Sequence, residues 1–520
     1  MNPPKGTVGG NLLEASSERG DRPFLLFEDD VYTYADMEER SARVANGLRE
    51  VGVAQHDNVA LLLPNSAEFL FAWFGAARVG APVVPVNVAL KGDSLVHIVD
   101  HSDATTMVVH ADYLEQVARV RERLPKVSRI VVVGDDPGTV AGSVAWDEVA
   151  RADGGDPDAD VAPTDLMMVM YTSGTTGLPK GVTIPQMQTL GGSLLAMFAG
   201  LGGDDVFYTC LPLFHANAAI ISIWGAFGLG TRIALGRRFS ASRFWDEVRS
   251  VGATQFNALG AMLPILYKQK PRPDDADNPV RTVLSAACPR EIWEGFETRF
   301  GVDIVEFYGT VEGGLTMAGP DAPPGSIGKP LPINEMKVVA DDDGDCAAGE
   351  IGELISRPVG GTASVSYYKN EEASADKTRG GWLRSGDLAY VDEDGWFWFV
   401  DRKTDSMRRR GENISSYEVE RVLNRHPDVV ESAVYAVPSD VGEDDVMAAL
   451  TLADGATLDP ESVLRHCEDH LAYFQIPRYL RVVDLLPKTE THRVQKASLR
   501  EAGVTEDTWD REEAGFELKR

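Results

Sequence analysis

The sequence predicts a multi-domain α/β protein: parallel sheets covered by helices, then a β-rich subdomain, then a small α+β module. Three observations carry this reading. Apolar runs of strand length alternate with helix-length amphipathic segments from Val59 to Gly309. After Gly325 the texture changes to short alternating strands broken by DDDGD and DEDG turns. At 520 residues the chain is also too long for one core, since about 150 residues per domain suggests three or four units, or a large multi-lobed body with a smaller domain.

Val59–Leu63, stopped by Pro64, reads as a buried strand, and Ala67–Val79 carries apolar residues at helical spacing. Val83–Val86, Thr106–Val109 and Ile130–Val133 read as further strands. Apolar strands separated by helices of this length imply parallel sheets buried on both faces. Residues 134–163 are rich in Asp, Gly and Pro and read as a loose connector. A second α/β stretch runs from Val206 to Gly309. Met336–Val339, Glu353–Ser356 and Trp396–Val400 read as strands of the β-rich part, Tyr417–Asn424 as a helix and Val429–Val437 as a strand of the last module. The expected boundary at Arg402-Lys403 divides the chain into 1–402 and 403–520.

The net charge of −30 argues against a nucleic-acid partner, because a phosphate backbone would be repelled over most of the surface. Four scattered cysteines, Cys210, Cys288, Cys346 and Cys467, have no C-x-x-C spacing, which points away from a disulfide framework or zinc site and toward a reducing compartment. The opening MNPPKGTVGG lacks the shape of a signal peptide. The longest mostly apolar run, Ala218–Gly230, is too short to span a bilayer. A cytoplasmic protein without membrane attachment is the expectation.

Residues 171–181 read YTSGTTGLPKG, directly after the apolar run Leu166–Met170. Small residues allow close backbone approach to an anion, Thr172, Ser173, Thr175 and Thr176 offer hydroxyls, Gly174 and Gly177 give the loop its freedom, and Lys180 adds a point charge. This combination suits a loop that wraps phosphates. It is not a Walker A loop: Gly177 is followed by Leu178-Pro179, and Lys180 by Gly181. A flexible Ser/Thr/Gly surface turn is the bland alternative.

Eight segments in order resemble the acyl-adenylate-forming superfamily of acyl-CoA synthetases, adenylation domains and luciferases: YTSGTTGLPKGV (171–182), LPLFHANA (211–218), FYGTVEGG (307–314), GSIGKP (325–330), GEIGEL (349–354), GWLRSGDLAY (381–390), DRKTDSMRRRGENISSYEVE (401–420) and LPKTETHRVQKASLR (486–500). Within it, SASRFWDEVR (240–249) and the 401–420 stretch are most similar to carnitine/crotonobetaine-type CoA ligases. The resemblance implies a large N-terminal adenylation domain and a small mobile C-terminal domain. It further implies a two-step reaction, in which ATP activates an acid as an acyl-AMP with release of pyrophosphate and a thiol then displaces AMP after the C-terminal domain rotates.

By this resemblance Thr172, Ser173, Gly174, Thr175, Thr176, Gly177 and Lys180 hold the β- and γ-phosphates of ATP. Tyr308, with Gly309 and Thr310 beside it, stacks on adenine. Glu312 and Thr176 serve Mg²⁺. Asp387 receives the ribose hydroxyls with Arg402 assisting, and Lys403 lies next to the hinge. His215 is placed near the carboxylate and thiol entry, with a satisfied buried histidine as the alternative. Arg408–Arg410 offer charge to the phosphates of CoA, the implied co-substrate.

Four positions depart from the family pattern. His492-Arg493 stands where the family has Gly-Lys, and a planar guanidinium is not a compact ammonium. Either Arg493 takes that catalytic role, or Lys496 reaches in, or the second domain contributes less to adenylation. Val311 replaces a common threonine, with Thr310 as compensation, and Gln186 replaces a frequent histidine. The small residues of Asn257–Ala261 and Ser285–Cys288, by resemblance pocket-lining, suit a mid-sized aromatic or branched acid. Three alternatives stand beside a CoA ligase: a diazotase that activates nitrite and delivers it to an aromatic amine, an enzyme that loads a carrier protein, and a non-catalytic nucleotide-binding protein.

Overall fold

The computed structural model describes residues 3–135, 140–172, 179–260, 262–403, 405, 407–409, 412–439, 444–453, 455–468, 470–488 and 494–518. Contacts divide the chain into two units. The first comprises Met1–Ala286, Glu291–Phe307 and Ser364–Gly380, and the second Ala287–Arg290, Tyr308–Ala363 and Gly381–Arg520.

The first unit holds two largely parallel sheets. One orders its strands Val144–Ala145, Arg129–Val133, Ala104–His110, Asn58–Leu62, Val83–Pro85, Leu166–Thr172 and Lys180–Pro185. All these neighbours pair in parallel except the last two, which form an antiparallel pair with Tyr171 opposite Gly181 and Thr172 opposite Lys180. In the other sheet, Asp303–Thr310 enters beside Thr282–Ala286, followed by Gln255–Leu259, Val206–Thr209, Arg232–Leu235, Pro23–Phe27 and Asp30–Thr33. Asn58–Leu62 is buried at every position, as expected of a central parallel strand covered on both faces.

Helix Ala67–Val79 is buried at every residue but Glu68, which is why its sequence is apolar all round rather than striped. Ser66 caps it, accepting from the Phe69 N–H, and Gly80 ends it in the left-handed conformation at φ 74°. Its Trp73 and Phe74 meet Trp224 at ring-centroid distances of 6.0 and 5.0 Å, and Trp224 meets Phe227 at 5.1 Å. The apolar run after residue 217 therefore belongs to the core, as a π-helix, Asn217–Trp224, continued by the α-helix Gly225–Leu229. Among the described residues no helix is long and apolar enough to cross a membrane.

Residues 134–163 carry more structure than their composition predicts. A strand, Val144–Ala145, and a helix, Trp146–Ala150, lie within them. Trp146 and Val149 are buried, because their spacing of three puts both on one helix face. Gln186 is fully buried. Its Oε1 accepts from the Val8 N–H at 2.9 Å and its Nε2 donates to the Ala77 carbonyl at 3.0 Å, so the amide ties two helices to the end of a strand. All four cysteines are free thiols.

The second unit contains the expected β-rich part, an antiparallel sheet ordered Asn334–Val339, Gly352–Pro358, Leu383–Val391, Phe397–Arg402. The α+β module follows. Its sheet orders Val429–Pro438, Asp444–Leu452, Tyr479–Val482 and Trp509–Asp510, with the middle pair parallel. That pair is crossed by helix Pro460–Glu468, since parallel neighbours need a long connection. Helix Ser416–Leu423 covers one face of the sheet and helix Lys496–Ala502 the other.

Candidate active site

Three predicted site residues meet in the second unit. Strand Leu383–Val391 pairs with Phe397–Arg402 so that Asp387 lies opposite Arg402. The Tyr308 hydroxyl donates to Asp387 Oδ2 at 2.6 Å, and Arg402 Nε lies 3.8 Å from Asp387 Oδ1. Asp387 is nearly buried. Burial first, and the Asp387 carboxylate second, hold the Tyr308 hydroxyl well above the usual tyrosine range, so the hydrogen bond persists across neutral pH. The bond engages one carboxylate oxygen, and Arg402 lies nearer the other.

The local backbone fixes this carboxylate. Gly386 has φ +78°, a conformation that favours glycine. Its carbonyl accepts from the Lys403 N–H at 2.9 Å and its own N–H donates to Glu353 Oε1 at 3.2 Å. The Asp387 N–H donates to Ser385 Oγ at 3.0 Å. Lys403 itself reaches Asp341 at 3.0 Å and Glu353 at 3.7 Å, and Asp341 pushes its ammonium above the ordinary lysine value.

Around Tyr308 the strand Asp303–Thr310 turns into Gly313–Met317. Gly309 passes Leu315 so closely that a Cβ would sit 2.6 Å from its Cδ2. The Thr310 hydroxyl donates to the Gly313 carbonyl at 2.9 Å, which holds the turn carrying Val311 and Glu312. Glu312 is half-buried in that turn. Among the described residues no group of three His, Cys, Asp or Glu side chains is placed to hold a metal ion.

In the first unit, Thr172 and Lys180 face each other across the antiparallel pair, both half-buried, with the Lys180 ammonium 5.5 Å from the Tyr367 ring centroid. Ser173, Gly174, Thr175, Thr176 and Gly177 lie outside the described residues, as does Arg493. His215 precedes the π-helix, its N–H donating to the Pro212 carbonyl at 3.0 Å and its ring 4.7 Å from Phe214.

Lys496 is placed at Glu420, 2.8 Å away, and it also donates to Ser416 Oγ at 2.5 Å. Glu420 is partly buried, and burial raises its carboxyl above the ordinary value. Asp401 joins the group: its Oδ2 accepts from both the N–H and the hydroxyl of Ser416 at 2.7 Å. This carboxylate at the N-terminus of helix Ser416–Leu423 is favoured by the unsatisfied N–H groups there. Of the basic run, Arg409 turns inward. It is 2.8 Å from Asp445, both side chains being almost fully buried, so it does not present its charge to a CoA phosphate.

Sequence reading missed Asp401 and Glu420 as partners, although both stand inside the 401–420 signature. It also missed the hydroxyl of Tyr308 as the group that sets Asp387.

Each unit thus holds part of the predicted site: a carboxylate set between a tyrosine hydroxyl and an arginine in the second, and Lys180 opposite Thr172 in the first. The chain belongs to the AMP-binding enzyme family. That family matches residues 12–367, and the AMP-binding enzyme C-terminal domain matches 418–493. The medium/long-chain-fatty-acid–CoA ligase FadD17 of Mycobacterium marinum is 36% identical over 95% of this chain and 96% of its own. Steroid-22-oyl-CoA synthetase of Rhodococcus jostii is 37% identical over 92% and 88%, and crotonobetaine/carnitine–CoA ligase of Salmonella arizonae 31% over 92% and 96%. Among solved structures, the anthranilate CoA ligase AuaEII in complex with anthranoyl-AMP shares a TM-score of 0.87 at 27% identity, covering 95% of this chain and 97% of that one. The relatives are AMP-forming acid–CoA ligases, and this chain is a ligase of that type.

Proposed function

We propose that this enzyme condenses a largely apolar carboxylic acid with ATP, releasing pyrophosphate, and passes the acyl group from AMP to CoA. The observation that carries the reading is the Tyr308–Asp387–Arg402 constellation, whose oriented carboxylate fits a ribose diol. The acid class is supported by the relatives named for fatty and steroid acids at 36% and 37% identity. The buried, uncharged strand Gln255–Leu259 beside Thr282–Ala286 agrees with it.

In this reading the segment from Thr172 to Lys180, with Ser173 to Gly177, holds the β- and γ-phosphates. Tyr308 and Gly309 form one wall of the nucleotide site. Glu312 with Thr176 serves a magnesium ion that takes most of its other ligands from phosphates and water, as Mg²⁺ does elsewhere. His215 stands at the acid. The role of the family's C-terminal lysine goes to Arg493, because Lys496 already compensates the partly buried Glu420. The parts 1–402 and 403–520 act as the fixed and the mobile domain, with Lys403 at the pivot.

The test is AMP release from ATP and Mg²⁺ in two parallel mixtures. One holds fatty, steroid-side-chain and aromatic acids with CoA; the other holds nitrite with arylamines. AMP and a CoA thioester in the first are expected. AMP formed only with nitrite, together with a diazo product, would overturn the assignment, and AMP that stays enzyme-bound as acyl-AMP despite CoA would point to a carrier protein as acceptor.

A further inference from the structure

Two histidines that the reaction as described does not use lie against the flanks of the 172–180 segment. Helix Gly92–His101 carries His97 and His101, and the spacing of four puts both on one face. His101 Nδ1 is 2.7 Å from the Tyr171 hydroxyl, and His97 Nε2 is 3.2 Å from the Pro179 carbonyl. Tyr171 precedes Thr172, and Pro179 precedes Lys180. One helix face thus touches the residue that enters the segment and the residue that leaves it.

The rings are arranged for direction rather than for charge. His97 and His101 lie 5.3 Å apart at 32°, and the Tyr171 ring stands edge-on to both, at 6.3 and 5.9 Å. A carbonyl only accepts, so His97 carries its hydrogen on Nε2. His101 faces Tyr171, Tyr368, Asp103, Lys369 and Lys126, besides His97 on its own helix. Asp103 is already matched there. It pairs with Lys369 and with Lys126, the latter at 3.0 Å, and accepts from the Tyr368 hydroxyl at 3.0 Å. With that carboxylate neutralised, burial and the neighbouring His97 and Lys369 keep the His101 ring below the ordinary histidine value. A neutral ring accepts the Tyr171 proton on Nδ1.

The segment 367–369 closes the arrangement from the other side. The Tyr368 N–H donates to the Gly181 carbonyl at 2.7 Å, and Tyr367 lies under Lys180. The orientation of Lys180 therefore depends on a strand held between this segment and the histidine face.

We propose that His97 and His101 are positioning residues that set the separation of Tyr171 and Pro179, and through them the aim of Thr172 and Lys180 at the terminal phosphates of the nucleotide. The proposal rests on the reading of 172–180 as the phosphate segment. Its consequence is selective: affinity for a triphosphate depends on the two imidazoles, and affinity for AMP does not.

The test compares binding of Mg²⁺ with α,β-methylene-ATP, a non-hydrolysable analogue, and binding of AMP, by calorimetry on the full chain. In His97→Phe/His101→Phe the analogue is expected to weaken about tenfold while AMP moves less than about twofold, from the loss of two hydrogen bonds. Tyr171→Phe is expected to lose about threefold for the analogue alone. His101→Asn, which keeps a polar atom toward Tyr171, should recover most of the affinity of a His101→Phe variant. Equal losses for both ligands, or no loss, would overturn the proposal. Should the double variant fail to fold, Tyr171→Phe and His101→Asn decide the matter by the same comparison. Lys180→Ala separates the two levels: if it leaves the analogue and AMP equally bound, the phosphate-segment reading fails independently of the histidines.

Discussion

The ammonium of Lys496 lies 2.8 Å from the carboxylate of Glu420, inside the C-terminal module, with only 12% and 16% of the two side chains exposed. Glu420 also accepts from the Val434 N–H at 2.7 Å, so the pair joins helix Ser416–Leu423, strand Val429–Pro438 and helix Lys496–Ala502. Removing one partner of a buried pair leaves an uncompensated charge, which costs about 3–5 kcal/mol, whereas removing both is far cheaper.

Lys496→Met is accordingly expected to lower stability by roughly 3 kcal/mol in urea unfolding at pH 7, and Glu420→Gln/Lys496→Met to recover most of it. The pH dependence has a definite sign. Burial raises the folded Glu420 carboxyl above its ordinary 4.5, and loss of Lys496 removes the charge that opposes this rise. A raised acid binds its proton more tightly when folded, so the single variant loses stability as pH climbs above 4.5. A variant that is stable but cannot adenylate would instead place Lys496 in the chemistry.

Tyr308 and Asp387 should act as one unit toward the nucleotide. Tyr308→Phe keeps the ring and removes the 2.6 Å hydrogen bond. It is expected to weaken AMP binding about fivefold, the value of one hydrogen bond near 1 kcal/mol. Asp387→Asn removes the charge that would strengthen bonds from the ribose hydroxyls and should cost about 10- to 100-fold. The double variant should fall well short of the product of the two, since the hydroxyl works through the carboxylate. Full additivity in calorimetry would separate the two residues.

Arg409 is expected to be a stability residue. Its partner Asp445 retains Arg478 at 2.9 Å when Arg409 is lost, so the cost of Arg409→Met should lie near the low end for a buried pair, about 2–3 kcal/mol. KM for CoA should change less than about twofold, because a guanidinium buried against Asp445 contributes nothing to an external phosphate. A large rise in KM for CoA with unchanged stability would show that this side chain turns outward in the thioester-forming state.

Periodicity placed the strands it named and the helix Ala67–Val79 well, because a parallel sheet buried on both faces imposes continuous apolar runs. Asn58–Leu62 and Ala67–Val79 stand within a residue of where the pattern places them. It failed where a short helix hides in polar sequence, as at Trp146–Ala150, since two buried side chains make too weak a pattern. In the site, the family resemblance pointed to Asp387 and Arg402 but not to the hydroxyl bond of Tyr308, which joins positions 79 residues apart. Within the basic run 408–410, Arg409 departs from the reading for a related reason. A run of arginines reads as a solvated or anion-binding surface, and only the fold shows that strand Met407–Arg409 turns its last side chain into the module.

Arg493 stands in this chain where the family signature has the lysine of Gly-Lys. In the proposed role a guanidinium would bring the same positive charge to the developing pentacovalent phosphorus but spread over a plane. With the acid found by the panel above, Arg493→Ala is expected to reduce pyrophosphate exchange about 100-fold or more, the scale on which one electrostatic contact to a transition state acts. Thioester formation from supplied acyl-AMP should change less than about threefold, since that step follows departure of pyrophosphate. Arg493→Lys should retain most of the exchange activity if charge is what matters and lose it if the planar fork is. Should Arg493→Ala leave exchange intact while Lys496→Ala, still folded, abolishes it, the role belongs to Lys496, and the pair with Glu420 must open during adenylation.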